Sequence, residues 1–140
     1  MESFVSNSER ETEQFGENFA KKLSRGSVVA FEGTLGAGKT AFTRGLARGL
    51  GCTDSVSSPT FAIVNEYDGD IPLFHFDMYR IETLGELYSI GFFEYLERGG
   101  ICAVEWSENI YSALPDDTIF VCIEHISQSQ RKITVREGKE

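Results

Sequence analysis

Three glycines, a lysine and a threonine within eight residues constrain this chain more than any other stretch of it. Gly33, Thr34, Leu35, Gly36, Ala37, Gly38, Lys39 and Thr40 fit the pattern G-x-x-x-x-G-K-[ST] in full. Glycines at these positions allow a backbone path that side chains would obstruct, with successive N–H groups converging on one point. A continuous apolar run at 28–31 comes before the string, and Phe42, Leu46 and Leu50 recur at helical spacing after it. Such a run reads as a strand buried on both faces. A helix opening near Lys39 then turns its positive end toward the loop. The arrangement is a P-loop for a nucleoside triphosphate. Lys39 is expected to reach the β and γ phosphates, and the Thr40 hydroxyl to ligate magnesium. Ala41, directly behind, completes the expected binding set.

The rest of the chain supplies a scaffold for that loop. Ser8 with Glu11 forms a capping box, and Phe15, Phe19, Ala20 and Leu23 continue at helical spacing, which predicts a helix over 9–24. Gly51 stops the helix after the loop, over 40–50. Strands are predicted over 61–67 and 71–78 as a hairpin about Asp68-Gly69-Asp70. One or two short helices follow over 83–97, broken at Gly91. Further strands are expected over 101–105, 118–124 and 132–136, with a helical turn over 107–111. The fold class is therefore α/β: one P-loop NTPase-like domain spanning 1–140, with a mixed, mostly parallel sheet flanked by helices and one β-hairpin. Residues from about 136 to 140 read as a polar tail.

Charge narrows the partners. The net charge is −9, from 22 acidic and 13 basic residues, which argues against a large direct footprint on nucleic acid or an anionic membrane. Cys52, Cys102 and Cys122 lack C-x-x-C spacing and read as buried, reduced thiols. No signal peptide or apolar run long enough to span a bilayer is evident, so a cytoplasmic protein is expected.

Hydrolysis requires more than a phosphate cradle. Ile101, Cys102, Ala103 and Val104 are four small or apolar residues ending in Glu105, as expected of a buried strand that presents an acid at its C-terminal end. Glu105 is the first candidate for a second magnesium contact. Leu73, His75 and Asp77 alternate onto one strand face, with Phe74 and Phe76 on the other. Asp77 is a candidate for metal-bound water or for the base toward an attacking water; a salt bridge to Arg80 is its structural alternative. His75 reads as a packed, hydrogen-bonded strand residue. Thr60, in Ser57-Ser58-Pro59-Thr60-Phe61, offers a hydroxyl to the γ-phosphate if that loop senses nucleotide, and otherwise marks a strand entry. Trp106 is placed to stack on a base or a partner, or to pack at the rim.

Four motifs occur here in order: G-T-L-G-A-G-K-T, V-S-S-P-T-F from Val56, H-F-D-M-Y-R from His75, and V-E-W from Val104. Together they resemble the bacterial TsaE (YjeE) family, the small ATPase of the tRNA threonylcarbamoyladenosine pathway. The resemblance implies ATP as nucleotide, Thr40 and Glu105 as magnesium ligands, and Asp77 as an acid near the γ-phosphate. It also implies that Thr60 lies in a nucleotide-responsive loop, that Trp106 is a functional aromatic, and that Arg10 and Arg131 flank the nucleotide. The implied partners are the TsaD and TsaB proteins, with tRNA reached only through their complex. Thr34 departs from the Asp that many members carry, at a position whose side chain the phosphate nest does not require. Two alternatives remain at the level of sequence. A small-molecule P-loop kinase lacks the clustered arginines of a lid here, and a nucleotide-binding regulator would differ only in not hydrolysing.

Overall fold

The computed structural model describes residues 2–33, 38–53 and 63–139. In chain order it contains β1 (Glu2–Ser6), α1 (Glu9–Ala20), β2 (Val28–Gly33), α2 (Lys39–Gly49), β3 (Val64–Tyr67) and β4 (Leu73–Asp77). There follow α3 (Leu84–Ser89), α4 (Phe92–Leu96), β5 (Ile101–Glu105), a 3-10 helix (Ser107–Ala113), β6 (Ile119–His125) and β7 (Arg131–Glu137). The strands form one seven-stranded sheet in the order β1-β7-β6-β2-β5-β4-β3. Its centre is parallel, with β2 between β5 and β6 and β4 beyond β5. The antiparallel pairings lie toward the edges.

Alternation along the central strands divides the apolar residues between two cores. Val29, Phe31, Leu73, Ile101, Ala103, Val121 and Ile123 pack under Phe19 of α1 and Phe42 and Leu46 of α2. Val28, Ala30, Phe74, Phe76, Cys102 and Val104 face the other way, against Leu87, Phe92 and Ile110. The sheet is thus covered on both faces, as parallel strands require. The α1/α2 face is the one that matters for the site, because the C-terminal ends of β2, β4 and β5 open beside the start of α2.

Most predicted elements fall within a few residues of the observed ones, and the exceptions have local causes. Strand β1 was not anticipated: Glu2 to Val5 are exposed and lack an apolar alternation, and the segment is a strand because β7 pairs with it. Helix α1 ends at Ala20, short of residue 24, since Lys22 and Leu23 close only i→i−3 bonds to Phe19 and Ala20. A second hairpin joins β6 to β7 in addition to the expected β3–β4 one. Its loop has no glycine to announce a turn, and closes through Ile126 N–H donating to the Gln130 carbonyl at 3.0 Å and Gln130 N–H donating to Ser127 Oγ at 3.2 Å. Pairing in β7 continues through Glu137, so the polar ending begins later than residue 136. Gly91, with φ of 78°, separates α3 from α4 as the sequence indicated.

Candidate nucleotide-binding groove

The start of α2 differs from the other helix starts described. Ser8 caps α1, with Glu9 and Glu11 in its first turn, and Thr83 forms a capping box with Glu86 on α3. Helix α4 begins at an uncapped glycine but carries Glu94 in its first turn. Helix α2 has neither a side-chain cap nor an acid there. Gly38 enters it at φ of 104°, a conformation that favours glycine. The N–H groups of a helix start carry partial positive charge and attract an anion. Lys39, 8% exposed, adds a formal charge at the same end.

A groove of about 680 Å³ opens at this helix start. Gly38, Lys39, Thr40 and Ala41 form its floor, and Glu105 stands at the end of β5. Asn7, Ser8, Glu9 and Thr12, at the beginning of α1, supply one wall, and Gln128, Ser129 and Arg131 the rim. Wall and rim are tied together by Gln130 Nε2, which donates to Asn7 Oδ1 at 2.8 Å. Arg131 Nη1 donates to the carbonyls of Ser127, Gln128 and Gln130 at 3.0–3.2 Å, holding the hairpin loop in shape.

Glu105 is buried, and its Oε2 lies 2.5 Å from His75 Nε2. His75 is fully buried. The β4–β5 register sets Asp77 beside Glu105 and His75 beside Ala103, all on the α1/α2 face. Asp77 Oδ1 accepts from Tyr79 N–H at 2.9 Å in a local turn, and no ion pair links it to Arg80 among the described residues.

Comparison with known proteins places this geometry in a lineage. The sequence model for "Threonylcarbamoyl adenosine biosynthesis protein TsaE" matches residues 6–133. The chain belongs to the TsaE family. A Treponema pallidum tRNA threonylcarbamoyladenosine biosynthesis protein TsaE is 39% identical over 131 residues, 94% of this chain and 97% of that protein. The Bacillus subtilis protein of the same name is 43% identical over 125 residues, covering 89% and 78%. The crystal structure of Bacillus subtilis YdiB superposes with a TM-score of 0.79 at 34% identity, over 99% of this chain and 86% of that one. The fold is P-loop NTPase-like.

Within this TsaE-family fold the expected site residues part into three groups. Gly38, Lys39, Thr40, Ala41, Glu105 and Arg131 come together at the groove, and Gly33 ends β2. Arg10 is exposed on α1, where its neighbours Ser8, Glu9 and Thr12 line the groove instead. Trp106 turns away: with φ of 57° it is the one non-glycine residue of positive φ among those described. Its ring packs against Tyr79 at a 60° tilt, centroids 4.8 Å apart, and lines a second groove with Arg80, Ile81, Glu82 and Asn109. Thr34, Leu35, Gly36, Ala37 and Thr60 lie outside the described residues. The resemblance pointed to the start of α1 through Arg10, but Asn7, Ser8, Glu9 and Thr12 themselves and the His75–Glu105 contact escaped the sequence reading. The capping box at Ser8 and the strand alternation of His75 with Asp77 were their visible traces.

Proposed function

We propose that this chain binds ATP with magnesium in the groove at the start of α2 and hydrolyses it, supporting TsaD and TsaB in the threonylcarbamoylation of adenosine in tRNA. The observation that carries the reading is the gathering of Gly38, Lys39 and Thr40, at a helix start with no acid in its first turn, in the same groove as Glu105. Family membership supports the pathway, since the relatives are named for tRNA threonylcarbamoyladenosine biosynthesis. Gly33, Thr34, Leu35, Gly36, Ala37 and Gly38 would give backbone N–H groups to the phosphates, and Lys39 would balance their charge. Arg131, on the rim of the groove, would flank the nucleotide.

The Thr40 hydroxyl and the Glu105 carboxylate fit a magnesium ion. Both are oxygen donors, and this cation is commonly held by one or two protein groups together with phosphates and water. No cluster of three or more His, Cys, Asp or Glu residues capable of holding a metal occurs among the described residues, so the ion would arrive with its nucleotide. When bound, it supplies charge neutralisation for phosphoryl transfer. Asp77, next to Glu105 in register, is the candidate for orienting the attacking water, and Thr60 for sensing the γ-phosphate. With a net charge of −9, contact with tRNA is assigned to the complex rather than to this chain, which is expected to work in the cytoplasm.

Phosphate release from ATP, measured with and without magnesium, alone and with TsaD and TsaB, tests the proposal. Stimulation by the partners that disappears in Glu105→Ala is expected, with a loss of about 100-fold or more in turnover if the metal contact is essential. Equal rates with and without partners would favour an independent ATPase, and acceptor-dependent phosphorylation a kinase. ATP binding without hydrolysis in any condition would leave a nucleotide-binding regulator.

A further inference from the structure

We infer that His75 is a positioning residue for Glu105: it holds carboxylate oxygen Oε2 from behind, so that Oε1 is presented to the groove. The inference rests on the proposed role of Glu105 at the metal and goes beyond it. Three observations support it. The two residues lie on adjacent parallel strands, with His75 opposite Ala103 and Glu105 two residues further along the same face. Long side chains can meet across such a diagonal, and the residue directly opposite His75 is the small Ala103. The contact is short, 2.5 Å between Nε2 and Oε2. Finally, His75 is fully buried, and its Nδ1 has no hydrogen-bond partner among the described residues.

That orphaned nitrogen fixes the direction of the bond. A hydrogen on Nδ1 would be a buried donor without an acceptor, and Nε2 would then turn a lone pair toward the carboxylate. Both arrangements are costly in a dry interior. The hydrogen therefore belongs on Nε2, which donates to Oε2. Since its other nitrogen has no hydrogen-bond partner among the described residues, the ring's hydrogen-bonding capacity is directed at this one carboxylate. The Met78 N–H donates to the Glu105 carbonyl at 3.0 Å, so main chain and side chain at the end of β5 are both held from β4 and its continuation. Partners behind a metal-binding side chain set its orientation, and their loss typically costs about 10- to 100-fold in metal affinity.

The test separates metal affinity from nucleotide affinity. ATP binding to the full chain is followed by calorimetry in EDTA and then across a magnesium series, with thermal midpoints measured in parallel. His75→Phe is expected to raise the magnesium concentration for half-maximal effect about 10-fold or more, with ATP affinity in EDTA unchanged. His75→Gln, whose amide nitrogen can stand near the position of Nε2, is expected to recover most of that loss. An unchanged magnesium midpoint in His75→Phe, with Glu105→Gln clearly shifted, would overturn the positioning role alone. An unshifted midpoint in Glu105→Gln would overturn the metal role of Glu105, and this inference with it. If His75→Phe does not fold, the shorter His75→Asn replaces it, and equal midpoints for His75→Asn and His75→Gln would count against the inference.

Discussion

Consecutive residues at the end of β5 serve opposite sides of the sheet end. Glu105 faces the groove beside α2, and Trp106 the second groove beside Tyr79. An extended strand would alternate them anyway; the left-handed backbone at Trp106 additionally breaks the strand there and starts the 3-10 helix, at a cost of about 1–2 kcal/mol. The 3-10 helix then locks onto the sheet, with Ser107 Oγ donating to the Phe31 carbonyl at 3.0 Å. Further down β5, Cys102 points into the other core, and burial pushes its thiol up to about 12. A thiol that stays protonated and enclosed does not react. Native protein treated with a maleimide at pH 8 is expected to leave Cys102 unlabelled, and denatured protein to label it fully. Rapid native labelling of Cys102 would mean that this face of the sheet opens readily.

Helices α1 and α2 lie unusually close, and glycine is the reason. A Cβ on Gly45 would stand 1.8 Å from the Glu13 carbonyl oxygen, and one on Gly16 2.3 Å from that of Phe42. Along the outer edge of this contact, Glu9, Glu13 and Glu17 of α1 pair with Arg44 and Arg48 of α2. Such exposed pairs contribute little each, so the close approach is the feature to test. Gly45→Ala improves helix propensity yet must force the helices apart. It is expected to destabilise the protein by about 1–3 kcal/mol in urea unfolding; a neutral or stabilising effect would show that the helices can separate freely. This pair also explains what the sequence could and could not disclose. The 3.6-residue spacing of Phe15 and Phe19, and of Phe42 and Leu46, made both helices legible. Nothing in the sequence marks Gly45, because its reason, the Glu13 carbonyl, lies about 30 residues away in the chain. In the same way Glu105 was legible as an acid closing an apolar strand, whereas its contact with His75 depends on which strands are neighbours. Strand β1 carries no pattern of its own and exists through its partner.

At the scale of the molecule, the edge of the sheet is joined to the helical layer by a polar cluster. Tyr95 Oη on α4 donates to Glu66 Oε2 on β3 at 2.7 Å, and Arg98 Nη2 donates to Glu66 Oε1 at 3.0 Å. The tyrosine bond first, and then Arg98, hold the Glu66 carboxylate below its ordinary range; the same bond, with burial, raises the Tyr95 hydroxyl. A depressed carboxylate contributes stability above its unfolded value, near 4.5, and loses it as pH falls further. A raised hydroxyl contributes below about 10 and loses its share as pH climbs. Stability measured against pH is therefore expected to fall less steeply below 4.5 in Glu66→Gln, and less steeply above 10 in Tyr95→Phe. Unaltered slopes would remove the cluster from the balance. The opposite edge has a different consequence. There β1 pairs with β7, Ser6 opposite Arg131, and Gln130 reaches Asn7 across the groove. A ribosome makes these partners more than 120 residues apart, at about 5–20 residues per second, so the first strand waits on the order of ten seconds for its neighbour. The start of α2 and the end of β5 are both synthesised well before that. The wall of the groove thus closes only once β7 has been made: a nascent chain that has reached the end of β5 can already carry its lysine and its acid without yet having a finished place to put a nucleotide.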